Sequence, residues 1–106
     1  MEIVFQNHDA PVSARMRRRA EQLVRKVAKR MPRAVDATIR FQQDGATRRV
    51  EITLHGPSGR RLVARSEGRY FGTALNEAAR RLGQRVGHTK RTPKSRAREL
   101  FRRKTA

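Results

Sequence analysis

The chain has 106 residues, of which 27 are Lys or Arg and 9 are Asp or Glu, so its formal net charge is +18. A chain this short supports one small domain with little room for a deep catalytic cavity, and the absence of cysteine excludes disulfides, thiolate zinc sites and thiol chemistry. Because such a charge excess makes a compact state repel itself, a chain that still encodes a core indicates a binding module for an anionic partner, with nucleic acid the obvious candidate.

The first predicted element is a short strand over residues 2 to 6, where Ile3 and Phe5 alternate with polar positions. The N-terminal segment has no apolar run longer than Ile3-Val4-Phe5 and carries the acidic Glu2, so we expect it to be neither a signal peptide nor a membrane span. We therefore expect a cytoplasmic protein that has no membrane partner.

An amphipathic helix is predicted after Ser13, which is a plausible N-cap, and Pro32 should end it. Its apolar stripe comprises Met16, Ala20, Leu23, Val24, Val27 and Met31. The remaining face carries Arg15, Arg17, Arg18, Arg19, Arg25, Lys26, Lys29 and Arg30 against a single acid, Glu21. A helix face that is merely solvated usually carries both positive and negative side chains, because opposite charges four residues apart attract each other. A face with eight cations and one acid therefore favours a functional surface.

Three strands should follow as an antiparallel meander with one buried face. The alternation of Val35, Ala37, Ile39 and Phe41 ends at the turn signal Asp44-Gly45. The next strand buries Val50, Ile52 and Leu54, and the Gly56-Pro57-Ser58-Gly59 turn leads to a strand that carries Leu62 and Ala64.

Helical spacing returns around Tyr70 and continues through Phe71, Ala74, Leu75, Ala78, Ala79, Leu82 and Val86. Gly83 and Gly87 each cost about 1 kcal/mol relative to Ala inside a helix, so we expect fraying near His88. An aromatic residue at a helix start usually packs, and we expect Tyr70 to pack rather than to stack on a base. The opposite face carries Arg69, Asn76, Glu77, Arg80, Arg81, Gln84 and Arg85.

The predicted order is β-α-β-β-β-α, an α+β fold in which two helices cover one face of a four-stranded sheet. The outward cations of the two helices would then form one continuous basic ridge. Residues 88 to 106 hold eight Lys or Arg and one Glu, a composition typical of a tail. We therefore expect a domain over residues 1–90 and a basic tail over residues 91–106 that is disordered when free.

Several segments together resemble the ribosome hibernation promoting factor family, which includes the ribosome-associated inhibitors once labelled sigma-factor modulation proteins. Asn7-His8 followed by Val12-Ser13 is similar to the family's loop before its first helix. The stretch His55-Gly-Pro-Ser-Gly-Arg-Arg-Leu-Val-Ala64 resembles its last hairpin, and Thr73-Ala-Leu-Asn-Glu77 followed by Arg81-Leu82 resembles its second helix. The likeness extends from residue 1 to about residue 90.

The resemblance implies a fold like the double-stranded RNA-binding domain with an extra first strand, and a non-catalytic role. Family members bind in the small-subunit cleft where mRNA and tRNA bind, contact ribosomal RNA and keep the ribosome idle. The long form of the family also carries a dimerisation domain where this sequence has a basic tail, which leaves open whether this protein pairs ribosomes or inactivates single ones. As partners the resemblance implies the ribosome and its small-subunit RNA, and we expect a monomer with no small-molecule substrate.

Phosphate contacts should supply most of the affinity, because counterion release dominates nucleic-acid binding. The outward strand positions offer no aromatic residue for stacking, so recognition should follow RNA shape. By position in the family, Arg17, Lys26, Arg81 and Lys90 become candidate phosphate contacts. The complete predicted nucleic-acid site is Arg17, Arg18, Arg25, Lys26, Lys29, Arg80, Arg81, Arg85, Lys90 and Arg91.

Two other functions compete with ribosome binding. A general RNA or DNA chaperone would act by charge alone, and a small ribonuclease would use His8 and Asp9 for acid-base chemistry. The His8-Asp9 pair has no Ser or Cys nucleophile in a recognisable context nearby, which favours a capping or turn role. His55 and His88 are isolated in sequence, so we expect neither a metal site nor a cofactor.

Overall fold

A four-stranded sheet covered on one face by two helices is the architecture in a computed structural model, which describes residues 1–8, 10–31 and 33–89. This is the predicted α+β fold, in the predicted β-α-β-β-β-α order. The elements are β1 (Glu2–His8), α1 (Ala14–Ala28), β2 (Asp36–Asp44), β3 (Thr47–His55), β4 (Arg61–Gly68) and α2 (Phe71–Thr89), with one 3-10 turn at Pro57–Gly59.

The strands lie in the sheet in chain order, from β1 at one edge to β4 at the other. The predicted antiparallel meander of β2, β3 and β4 is confirmed. The first strand, β1, pairs with β2 in parallel, which is possible because α1 supplies the long crossover connection that parallel strands need. Gly45 has φ +61° in the two-residue loop between β2 and β3, a backbone region where glycine is free of strain.

The buried face of the sheet is continuous across the three antiparallel strands. Ala37, Ile39 and Phe41 of β2 are each no more than 1% exposed, and Val50, Ile52 and Leu54 of β3 are fully buried beside them. The prediction that Val35 belongs to this buried series was wrong, because Val35 precedes the first paired residue of β2 and is 55% exposed. The helix-facing layer of β2 therefore begins at Ala37.

The first helix begins where the sequence indicates and ends earlier than predicted. The Ser13 hydroxyl accepts a hydrogen bond from the backbone N–H of Met16 at 3.1 Å, which caps α1. The helix ends at Ala28, and Met31 is still buried although it lies beyond that end. The predicted stop signal, Pro32, lies outside the described residues.

The second helix is continuous through Gly83 and Gly87 to Thr89, the last described residue, which lies one position beyond His88, where fraying is expected. A Cβ placed on Gly83 would lie 2.6 Å from Nη2 of Arg30, so the bare glycine backbone leaves room for that arginine. A Cβ on Gly72, at the other end of α2, would lie 4.0 Å from Cε of Met16. These contacts show that α1 and α2 lie side by side and run in the same direction.

The predicted tail over residues 91–106, with Lys90 and Arg91, lies outside the described residues. Within the described part of the chain, neither helix is long and apolar enough to cross a bilayer.

Replacing Ile39 by Ala should lower the free energy of unfolding by about 2–5 kcal/mol, because the side chain is fully buried and its removal leaves a cavity. Urea denaturation monitored by circular dichroism measures this change. The matched control is Val35→Ala, which should change stability by about 0.5 kcal/mol or less. Equal losses for the two variants would contradict the observed start of the buried layer.

Candidate nucleic-acid interface

Charge is divided unevenly between the two sides of the molecule. The basic ridge carries twelve cations and only two acids, Glu21 and Glu77, on α1, its following turn and α2 with the preceding Arg69. The cations are Arg15, Arg17, Arg18, Arg19, Arg25, Lys26, Lys29, Arg30, Arg69, Arg80, Arg81 and Arg85. All twelve are exposed, so the helix side of the protein is a strongly positive surface.

The opposite, open face of the sheet is close to neutral. The strand register places four arginines and five acids there: Arg40, Arg49, Arg61 and Arg65 with Glu2, Asp36, Asp44, Glu51 and Glu67. Arg49 Nε lies 2.9 Å from Glu67 Oε1, and Arg65 Nε lies 3.3 Å from Glu51 Oε2. Because arginines and acids nearly balance on this face, the excess positive charge of the two faces lies on the helix side.

A groove of about 790 Å³ runs between the two helices. Its floor includes Leu23, Val27, Ala79 and Gly83, and the cations on its sides are Lys26, Arg30 and Arg80. At the end nearer the helix N-termini, Nη2 of Arg19 donates a hydrogen bond to Oδ1 of Asn76 at 2.8 Å and ties the helices together. Cations on both sides of an open groove suit a chain of phosphates lying along it.

The described members of the predicted site lie in four directions around the helix layer. Lys26 and Arg80 line the inter-helix groove. Arg18 is exposed on α1, and Lys29, in the turn that follows, lines a pocket with Arg25 beside Met1. Arg25 faces the β1 side, because its Nη1 donates to the carbonyl oxygen of Met1 at 3.1 Å and its Nη2 lies 2.9 Å from Glu21 Oε1.

Arg17 precedes Glu21 by four residues, so it lies on the same flank of α1 as Arg25. On the other side of the layer, Nη1 of Arg81 donates to the carbonyl oxygen of Arg65 at 2.7 Å, which directs Arg81 towards β4. Arg85 follows Arg81 by four residues and shares that flank. The structure therefore brings together Lys26 and Arg80, and separates Arg17 and Arg25 from Arg81 and Arg85.

Arg19 and Arg30 complete the groove although the predicted site omitted them. Both were visible in sequence as cations of the first helix. Their place beside α2 depends on how the helices pack, which residue spacing within one helix does not report.

Glu77 is the only acid of α2 and it holds two of the predicted site residues. Its Oε1 is 2.5 Å from Nη2 of Arg80 and 3.3 Å from Nε of Arg81, and its Oε2 accepts from Nε of Arg80 at 3.1 Å. The hydrogen bond from Arg80, followed by the charges of both arginines, holds the pKa of Glu77 below its ordinary value. The carboxylate thus stays charged and competes with any phosphate for these two guanidinium groups.

The N-terminal ends of the two parallel helices share one end of the helix layer. Neither helix has an acid in its first turn, although the helix dipole favours negative charge there. Instead Arg15, Arg17, Arg18 and Arg19 lie near the start of α1, and Arg69 precedes α2. Like charge at a positive helix end destabilises the folded chain, so this concentration of arginine indicates a surface that binds anions.

The expectation that Tyr70 packs was wrong, because its side chain is 69% exposed. Its neighbour Phe71 is buried instead, and the ring of Phe71 lies edge-on to Phe41 with 5.4 Å between centroids. The helical phase of α2 directs Phe71 towards the sheet, which leaves the preceding residue pointing away from the core. The sequence offers two adjacent aromatic residues, and only the tertiary structure decides which one is buried.

The described residues give little support to acid-base or metal chemistry. His55, which is isolated in sequence, has its Nδ1 2.6 Å from Asp36 Oδ1 across β2 and β3, in an approach that lacks the alignment of a hydrogen bond. The predicted His8-Asp9 pair lies outside the residues whose side chains are described. Among the described residues, no cluster of three or more His, Cys, Asp or Glu could hold a metal ion.

Comparisons with known proteins identify a family and a similar fold. Residues 3–94 match the model of the family described as sigma 54 modulation protein / S30EA ribosomal protein. The fold is similar to the N-terminal domain of protein Y from Thermus thermophilus, with a TM-score of 0.71 and 17% identity over 84% of this chain and 96% of that one. It is also similar to a ribosomal subunit interface protein from Coxiella burnetii, with a TM-score of 0.71 and 17% identity over 87% of this chain and 100% of that one. The comparison with curated proteins finds no match.

Replacing Glu77 by Gln should strengthen RNA binding at low salt, because it releases Arg80 and Arg81 from a competing carboxylate. If one released arginine reaches a phosphate, the slope of log K against log salt should become steeper by about 1. Filter binding to ribosomal RNA over a salt series measures both quantities. The matched control is Glu67→Gln on the open face, which removes the same charge beside Arg49 and should leave binding unchanged. Equal gains for both variants would show that only net charge matters.

Proposed function

Because this chain belongs to the sigma 54 modulation protein / S30EA ribosomal protein family, we propose that it is a non-catalytic factor that binds ribosomes and keeps them idle. The observation that carries the proposal is the one-sided charge distribution, with a positive helix layer opposite a neutral sheet face. A protein that bound polyanions by charge alone would have no need to neutralise one of its faces. This separation favours a defined RNA-binding side.

The proposed site on the ribosome is the small-subunit cleft where mRNA and tRNA bind. One feature supports a cleft rather than a flat RNA surface. The ridge cations lie in the groove, on the outward face and on both flanks of the helix layer, so phosphates can approach from several directions. Arg25 on the β1 flank and Arg81 on the β4 flank mark the two sides.

Phosphate contacts rather than base reading would supply the affinity. The Lys26 and Arg30 side chains line the groove, and cations at such positions release condensed counterions from RNA when they bind. The described side chains of the open sheet face form ion pairs and include no Phe, Tyr or Trp, so this face does not resemble the stacking platform of sequence-specific RNA-binding sheets. Recognition would therefore depend on the placement of phosphates in folded ribosomal RNA.

The purified chain should co-sediment with small ribosomal subunits in a low-salt sucrose gradient, and it should reduce in-vitro translation in proportion to its occupancy. Prior binding of the protein should also reduce the amount of labelled tRNA that small subunits retain on a filter. A protein that stays at the top of the gradient would contradict ribosome binding. Co-sedimentation with full tRNA retention would contradict the cleft as the binding site.

The double variant Lys26→Gln with Arg30→Gln should weaken binding to small subunits and reduce the salt dependence by about 1.4–1.8, or about 0.7–0.9 per lost phosphate contact. The matched control is Arg60→Gln with Arg61→Gln, which removes the same charge from two exposed positions, the residue just before β4 and the first residue of that strand. Binding isotherms at several salt concentrations compare the affinities of the two double variants for small subunits. Equal weakening would support the competing function of a general RNA or DNA chaperone that acts by charge.

A further inference from the structure

The corner between β4 and α2 exposes an aromatic ring next to an exposed arginine. The strand ends at Gly68 and the helix begins at Phe71, so Arg69 and Tyr70 form the whole connection. Tyr70 is 69% exposed, more than the other exposed large hydrophobic residues of the described chain, which are Met1, Val4 and Val35. With Phe71 buried in the core, nothing in the packing of this corner requires an aromatic residue at position 70.

The backbone of this corner is held by hydrogen bonds on both of its residues. The carbonyl oxygen of Tyr70 accepts from Oγ1 of Thr73 at 3.0 Å and from the backbone N–H of Ala74 at 3.1 Å. The carbonyl oxygen of Arg69 accepts from Nη1 of Arg48 at 2.5 Å, and the Arg48 guanidinium lies 5.8 Å from the ring centroid of Phe71. The Tyr70 ring is therefore presented from a fixed backbone, which lowers the entropy lost when a partner binds.

The surroundings of Tyr70 select the chemistry of that partner. Arg69 is exposed beside it, and the contacts of Met16 with Gly72 and of Arg19 with Asn76 bring the arginine-rich start of α1 alongside the first turns of α2. The nearest acids along the chain, Glu67 and Glu77, both have arginine partners. An exposed aromatic face next to an exposed arginine fits an unpaired nucleobase whose flanking phosphate contacts that arginine, because every base offers a face for stacking. A single ring supplies too little apolar area to anchor a protein in a lipid surface.

We propose that Tyr70 is a stacking platform for an unpaired RNA base, with Arg69 on a flanking phosphate. The proposal rests on the proposed function, since it names an RNA element that the basic ridge would meet. A stacking site at Tyr70 would give the protein a preference for unpaired RNA, whereas the basic ridge contacts phosphates, which duplex and unpaired RNA share. Because stacking is tolerant of base identity, the site distinguishes exposed bases from duplex RNA without reading sequence.

Tyr70 is the only tyrosine in the chain, and there is no tryptophan. Labelling the full chain with 3-fluorotyrosine therefore gives one fluorine resonance that reports on this ring alone. Titration with single-stranded oligoadenylate should move the resonance through the ring current of a stacked base. A duplex RNA of the same length should bind the basic ridge and leave the resonance near its free position. Equal shifts with both RNAs would overturn the proposal.

The affinity test compares Tyr70→Ala with Tyr70→Phe. The alanine variant should bind oligoadenylate about 5- to 150-fold more weakly, the equivalent of about 1–3 kcal/mol for one stacked base, whereas the phenylalanine variant should stay within about twofold of the parent chain. Thermal unfolding should be unchanged in both, because the side chain is exposed. Unchanged oligoadenylate affinity in Tyr70→Ala would overturn the stacking role.

The outcomes of this test are separable from those of the proposed function. If the parent chain co-sediments with small subunits and Tyr70→Ala binds them and oligoadenylate equally well, the stacking proposal fails and ribosome binding stands. If the parent chain does not co-sediment but its fluorine resonance shifts with oligoadenylate, ribosome binding fails and the stacking site stands. A resonance that shifts with anionic phosphatidylserine vesicles and not with RNA would replace the base with a lipid surface and overturn the proposal.

Discussion

The burial of both helices against the same face of the sheet is the constraint on which the rest of this structure depends. Ile39, Ile52 and Leu75 are fully buried within this one interface, and they belong to β2, β3 and α2, respectively. Once each helix turns its apolar stripe inwards, its charged positions must point away from the sheet. The basic ridge is therefore a direct consequence of core formation, and the same packing opens a groove between two parallel helices.

The distribution of charge favours RNA binding at the expense of folding stability. Twelve cations on the helix side repel one another, and the first turns of α1 and α2 lack the acids that would complement the helix dipoles. On the sheet side, Arg49 and Arg65 are matched by Glu67 and Glu51. Exposed pairs of this kind contribute little to folding, but they confine the positive potential to one side. That asymmetry favours RNA binding by a defined surface over attraction to any polyanion.

Local features that look unfavourable in isolation gain a reason in the assembled domain. Gly83 weakens a helix interior, yet its missing Cβ leaves space for Arg30 beside the groove. Tyr70 exposes a large aromatic ring, yet it sits on a corner whose two carbonyl groups are hydrogen-bonded, next to the exposed Arg69. Glu77 is an acid within the ridge, and it holds Arg80 and Arg81 in place while lowering their availability to phosphate.

The sequence by itself determined the elements, the buried face of each and the basic stripes, because residue spacing of two or 3.6 reports which side of a strand or helix is apolar. It predicted the α+β order, the Ser13 cap and the buried Ile39 and Ile52. Only the tertiary structure decided that β1 pairs in parallel at the edge, that the helices run in the same direction and that Lys26 and Arg30 share a groove with Arg80. It also placed Phe71 inside and Tyr70 outside. These facts depend on the distance and rotation between elements, and periodicity within one element carries no information about either.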